Sequence, residues 1–403
     1  MSLQRNRSWL LAGLLVLLAG GAVFGQGLRD AQLFAPADED QFGGGPRAKQ
    51  GFFFVYDGLL WTISAPREAT FGVPTSEETA RPVFWGPGPE ASTTQQSTLT
   101  TGFLKTDWTG GQRVEFGNIY EHQGWKISYL DLARSTQVIT QSGVQVFFED
   151  RPWGAPPSFT HLEGFTANLP GTTTPDPASI RELGVEFTSA TVRNRIKTWG
   201  LEASYLLRTH PMPRGGFFEW SLGARYIELR EDFSAEAFGG ILADTFLWSE
   251  ADNRMVGPQV GLRWFRSNDR WTLSVQGDFT AAVNMQSMRL QGIVGSLLPT
   301  DTIPRPVTSP PLPLAMQPLD FSHMAHMQQF SPLVEVRVAA EYQITSAVSI
   351  HGGWSAIWID HVARPSGMID YTLGETTTLG ILTNKNRQNI FMNGLELGVA
   401  VNY

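Results

Sequence analysis

The residues best suited to chemistry in this chain sit in Ser322-His323-Met324-Ala325-His326-Met327, where two imidazoles and two thioethers match the ligands of a soft metal such as copper. A spacing of three brings both His to one side only on a helix. The run supplies no carboxylate or thiolate as a third ligand, so no metal and no cofactor is expected. The other candidates are scattered: His161, His210, His351 and His361, with many Ser, show no spacing that links a nucleophile to a base. Glu149-Asp150 and Glu231-Asp232 are adjacent carboxylates just beyond apparent strand ends, which reads as solvated loop charge. With no cysteine, thiolate metal sites, disulfides and a thiol nucleophile are excluded. Gly43 to Gly45 precedes no helix and is no phosphate loop. The expectation is that the protein is not an enzyme.

A larger polar set emerges from segments that alternate with a period of two. In 270–283, Trp271, Leu273, Val275, Phe279, Ala281 and Val283 share one face, and Thr272, Ser274, Gln276, Asp278 and Thr280 the other. In 333–344, Val334, Val336, Val338, Ala340, Tyr342 and Ile344 oppose Glu335, Arg337, Glu341 and Gln343. Such two-faced strands are the unit of a transmembrane β-barrel, one face toward lipid and the other toward the lumen. The lumen-facing polar residues are then Arg113, Glu115, Lys126, Glu202, Arg208, Glu219, Arg225, Arg263, Asp278, Glu335, Arg337, Glu341, His351 and Glu396. Their signs are nearly balanced and interleaved. Rings of one sign make ion-selective constrictions, whereas a balanced set in a narrow barrel suits a salt-bridged filling.

Strand-like segments occur at 51–64, 111–120, 124–133, 196–208, 216–230, 254–266, 270–289, 332–344, 347–360 and 390–403. The connections between them alternate strictly. Short ones are Glu121 to Gln123, His210 to Gly215, Ser267 to Asp269 and Thr345-Ser346; long ones are 65–110, 134–195, 231–253, 290–331 and 361–389. Short periplasmic turns, long outer loops and an even strand count define an outer-membrane barrel. The predicted fold is therefore all-β: a closed antiparallel up-and-down barrel of ten strands. Twelve is the alternative, because Val144 to Glu149 and Leu183 to Val192 could form one more wall hairpin or a hairpin outside the membrane.

Arg5 and Arg7, the apolar run Trp9 to Phe24 and the small-residue exit at Val23-Phe24-Gly25 read as a signal peptide over 1–25. Residues 26–50, polar and Gly-rich, read as a flexible periplasmic lead-in, which leaves 51–403 as the barrel. The formal charge of −8 disfavours a nucleic-acid partner.

The chain resembles the putative β-barrel porin-7 family of planctomycete outer-membrane proteins over roughly residues 50 to 403. The likeness rests on Phe54-Val55-Tyr56-Asp57-Gly58-Leu59-Leu60-Trp61, Trp199-Gly200-Leu201-Glu202, Gly223-Ala224-Arg225-Tyr226 and Asn393-Gly394-Leu395-Glu396-Leu397-Gly398-Val399. It implies a barrel in the bacterial outer membrane and transfers no activity. The terminal strand also resembles the insertion signal of bacterial barrels, with that role on Leu397, Val399, Val401 and Tyr403. The partners this implies are outer-membrane lipid and the barrel-insertion machinery, and homo-oligomers are compatible with such a barrel.

Ten to twelve strands lie near the size at which side chains fill the interior. The expected function is a narrow passive pore for small solutes. The Pro-rich 290–331 segment (Pro299, Pro304, Pro306, Pro310, Pro311, Pro313 and Pro318) is the candidate occluder. The alternative is a closed structural or surface-display barrel whose long outer loops make envelope or cell contacts.

Overall fold

The structure is a computed structural model and describes residues 51–72, 75–80, 91–120, 122–146, 185–210, 216–239, 244–296, 319–345, 347–371 and 379–402. The expected signal peptide and lead-in, His161, Glu149-Asp150, Tyr403 and the seven prolines proposed as occluder lie outside these residues.

Ten strands close into one antiparallel barrel. They are β1 (Gly51–Ile63), β4 (Asp107–Tyr120), β5 (Gln123–Val146), β6 (Val185–Arg208), β7 (Gly216–Phe238), β8 (Thr245–Asn268), β9 (Trp271–Val294), β10 (Leu319–Gln343), β11 (Val348–Val362) and β14 (Gln388–Asn402). Each pairs with its sequence neighbour in the wall, and β1 closes the ring against β14, with Phe54 opposite Val401 and Trp61 opposite Gly394. Two small hairpins stand apart from the wall: β2 (Thr75–Ala80) with β3 (Ala91–Gln96), and β12 (Ile369–Asp370) with β13 (Gly380–Ile381). No described helix is long and apolar enough to cross a membrane; the chain crosses by strands.

The period of two sets the two faces. Outward, a belt of exposed apolar side chains circles the barrel, including Leu60, Ile127, Leu201, Leu222, Val260, Val275, Val336, Ile350 and Leu395. Leu397, Val399 and Val401 belong to this belt. Aromatic residues border it near the short turns, where Phe52, Tyr120, Trp125, Tyr205, Trp220 and Trp271 are exposed. Rings of this kind anchor a barrel at the membrane–water interface.

Two classes of strand form the wall. β11, β14, β1 and β4 have 15, 15, 13 and 14 residues, whereas β5 to β10 have 23 to 25. A tilted strand needs about 9–11 residues to cross a bilayer, so the six long strands carry the wall well beyond it.

The long strands correct the sequence reading in three places. Val144 to Val146 and Val185 to Val192 are the upper ends of β5 and β6, paired Val144 with Phe187, and not an eleventh and twelfth strand. Much of the expected loops 231–253 and 290–331 is also strand, in β7 to β10. Above the bilayer the outer face turns polar and the inner face apolar, so the alternation inverts although pairing continues. The run around His323 and His326 is part of β10, which sends His323 and exposed His326 to opposite faces. Strand geometry therefore separates the imidazoles that a helix would have joined.

Candidate functional site

The fourteen polar residues named above all lie on the inner face of the wall, where those at mid-barrel form one buried network. Glu335 on β10 lies at its centre. It takes Arg113 Nη2 from β4 at 2.6 Å on one oxygen and Arg225 Nη2 from β7 at 2.5 Å on the other. Arg113 also reaches Glu396 on β14 at 3.4 Å. Arg337 contacts Glu115 at 2.6 Å, and Asp57 and Glu396 at 3.5 Å each. Lys126 pairs with Glu202 at 3.2 Å. Asp278 accepts hydrogen bonds from Gln276 Nε2 at 2.7 Å and Ser221 Oγ at 3.5 Å. Directly across the β9–β10 ladder, Glu335 faces Asp278, and Arg113 and Arg225, both paired with Glu335, offset that like-charged neighbour.

Toward the periplasmic mouth, Arg208 pairs with Glu219 at 2.5 Å and lies over the rings of Phe217 and Phe265. Arg263 also lies against Phe265 and donates to Ser274 Oγ at 3.4 Å. Glu341 bonds Ser349, and His351 bonds Asp57. Gly398 makes room for that last pair, since a Cβ there would meet Asp57 Oδ1 at 2.2 Å. The cavity among Arg113, Lys126, Glu202, Arg225 and Asp278 measures about 10 Å³, room for roughly one water.

Above the charges lies a predominantly apolar layer, with Thr198 and Thr280 among its buried members. Leu59, Trp61, Ile63, Leu130, Leu132, Ile196, Ile227, Leu229, Met255, Leu333, Ile357, Ile359, Ile390 and Met392 are buried together across the barrel. They form a septum borne entirely on wall strands. Trp61 is 0 % exposed, and the Arg113 guanidinium lies 5.6 Å from its ring, joining the charged and apolar layers.

A loop fills the outer half. At His361 (φ 54°) the chain leaves β11 through a register shift and turns inward. A single-turn helix, Pro365–Met368, follows. Arg364, 1 % exposed, grips Glu231 with Nε at 2.8 Å and Nη2 at 3.0 Å, and donates from Nη1 to Ser64 O at 2.7 Å. Wall amides clamp the backbone on either side. Asn253 exchanges two 2.8 Å hydrogen bonds with Ala363, one each way. Gln286 donates to His361 O at 2.7 Å and Asn284 to the same oxygen at 3.1 Å. Tyr371 donates to Ser366 O at 2.9 Å, and burial pushes its phenol well above the usual range. Phe71, Leu99, Val192, Phe233, Leu290, Met368 and Tyr371 complete an apolar core here.

Glu231 corrects the reading of Glu231-Asp232 as solvated loop charge: it is 0 % exposed inside β7. Adjacent strand residues face opposite ways, so Asp232 points outward. Sequence reasoning also missed Asp57 and Arg364. Asp57 hides in a strand whose two faces are both apolar around it; its register with Leu59 and Trp61 was the available signal. Arg364 lies in a loop where no period applies. Among the described residues, 363–371 enters the lumen; the middle of 290–331, expected as the occluder, lies outside them.

Over 89 % of its length the chain superposes on 99 % of the outer membrane protease OmpT from Escherichia coli, at 9 % identity and a TM-score of 0.38. Neisserial surface protein A gives 10 % identity, 89 % and 100 % coverage and a TM-score of 0.25. The Ralstonia pickettii toluene transporter TbuX gives 9 % identity, 92 % and 95 % coverage and a TM-score of 0.27. No curated protein sequence matches the chain. The family model described as putative beta barrel porin-7 matches residues 187–403. This covers more than half of the chain, including the strands with Trp199 to Glu202, Gly223 to Tyr226 and Asn393 to Val399, and leaves out the opening strand with Phe54 to Trp61. With its outer-membrane β-barrel fold, the chain belongs to the putative beta barrel porin-7 family.

Proposed function

We propose that this protein is a closed, non-conducting barrel of the bacterial outer membrane, whose raised wall and outer loops serve as a structural or contact surface. The observation that carries the reading is the apolar septum around Trp61, Leu132, Leu229 and Ile357, each 0 % exposed. An ion crossing it would give up its hydration for little more than the hydroxyls of Thr198 and Thr280 and the Trp61 indole N–H, a net penalty of several kcal/mol. The septum belongs to the wall, so moving a loop alone does not open it. Below it the charged residues pair with one another around a cavity of about 10 Å³, so their role here is to fill and brace the lumen. Catalysis is not part of this reading.

The narrow passive pore for small solutes is the second reading. It is favoured by the polar column that runs from Arg208 at the periplasmic mouth to Arg113 beneath Trp61, and it requires the septum side chains to swing aside. Single-channel recording of the folded barrel in a planar bilayer separates the two. A closed barrel gives no discrete steps across the voltage range. Discrete steps, with a reversal potential in a salt gradient, would overturn closure and transfer the reading to the pore.

A further inference from the structure

The outer face of β6 changes character abruptly along one row of side chains. From the periplasmic end it runs Leu207, Tyr205, Ala203 and Leu201, all exposed, then Trp199, then Lys197, Arg195 and Arg193. Trp199 stands against Tyr226 of β7, ring centroids 5.3 Å apart, an aromatic pair of the kind found where hydrocarbon gives way to headgroups. The three cations follow immediately above it. On β5 the register shift between Leu132 and Ser135 leaves Arg134 exposed beside them.

Asp232 stands directly across the ladder from Arg195 and Arg230 directly across from Lys197, and Asp232 turns to Arg230. Asp131 on β5, and Glu228 and Asp232 on β7, are the carboxylates on the flanking strands at this height. Glu228 accepts from Tyr226 OH at 2.8 Å and is 4.0 Å from Arg254, and Asp232 lies 3.9 Å from Arg230. Among the described residues, none of Arg134, Arg193, Arg195 and Lys197 has a carboxylate within the 4.0 Å of an ion pair. Alternate residues of a strand lie about 7 Å apart, so the three cations of β6 span roughly 13 Å along the wall, the scale of a lipid headgroup.

We propose that this row is a binding site for a phosphorylated glycolipid of the outer leaflet. Arg193, Arg195 and Lys197 hold the phosphate oxygens, the arginines through paired N–H donors. The acyl chains lie below, along Leu201, Ala203, Tyr205 and Leu207. The site is on the lipid face and is independent of whether the lumen conducts.

The test uses the folded full barrel in phosphatidylcholine nanodiscs doped with bis-phosphorylated lipid A or with its dephosphorylated form. Native mass spectrometry reads the glycolipid retained on release. The wild type should hold the phosphorylated form at least tenfold better than the dephosphorylated one. The variant R193Q/R195Q/K197Q should lose that preference, R193K/R195K should keep most of it, and R289Q, exposed on β9 away from the row, should change nothing. Equal retention of both glycolipids by the wild type, or an unchanged preference in the triple variant, overturns the proposal. Loss of the preference on adding millimolar inorganic phosphate at constant ionic strength would also overturn it, by revealing a site for free phosphate. Should the triple variant fail to fold, salt decides: the wild-type preference must fall as ionic strength rises, and a salt-insensitive preference sinks the idea.

Discussion

The low wall, β11-β14-β1-β4, and the high wall, β5 to β10, solve different problems with the same strand chemistry. The low wall stops soon after its apolar belt, and the chain leaving it at both β1 and β11 turns to cover the lumen. The high wall continues into water and presents buried Asn194, Glu231, Asn253, Asn284 and Gln286 on its inner face to receive that chain. The difference teaches how the outer half is sealed. One side supplies a loop with backbone polar groups to satisfy, and the other supplies side-chain partners on a rigid sheet.

The largest disruption should come from the septum that spans both walls. Trp61→Ala removes a fully buried ring and should destabilise the folded barrel by about 3–5 kcal/mol, read as a lower urea midpoint in lipid vesicles. If the septum alone seals the lumen, the same variant should also show small conductance steps; silence would mean that the layers above and below suffice. Arg364→Ala strands the Glu231 carboxylate without its buried partner, a loss of about 3–5 kcal/mol. The effect should localise to the outer half, so that limited proteolysis cuts near 363–371 while the belt strands stay protected. Uniform loss of protection would show that the two walls unfold together.

Asn253→Ala tests one clamp. It orphans Ala363 N and O and should cost about 1–3 kcal/mol, read as faster hydrogen exchange at Ala363 than in the wall around it. The smallest effect belongs to the outer surface of the high wall, where Arg230 is 48 % exposed beside Glu250 and Asp252. Arg230→Ala should change stability by under about 1 kcal/mol, and less still in high salt. A larger effect would mean that this surface is covered by something other than water.

Legibility in the sequence followed the same division. The belt strands were readable because lipid and lumen impose opposite polarity on alternate residues, as between Trp271 and Val283. The upper halves of β5 to β10 were not, because the polarity inverts there: Thr136, Arg193 and Arg289 face outward while Val192 and Leu290 pack inward, the opposite of the lipid-facing pattern. The inward-facing charges could be named one by one from the alternation. Asp57 could not, because Tyr56, Gly58, Leu59 and Leu60 on either side carry no such contrast.

By itself the sequence determined the strand period, the even strand count and which face most charges of the belt strands would take. All of these are local, since a pleated strand sends neighbours to opposite sides whatever it pairs with. The tertiary structure decided which charges meet and what closes the lumen. Arg113 finds Glu335 across a sequence separation of 222 residues, and Arg364 finds Glu231 across 133. Such meetings depend on ring closure and on strand stagger, which fix the depth of each residue in the barrel. The inward turn at His361 is decided the same way, by the amides waiting on the opposite wall.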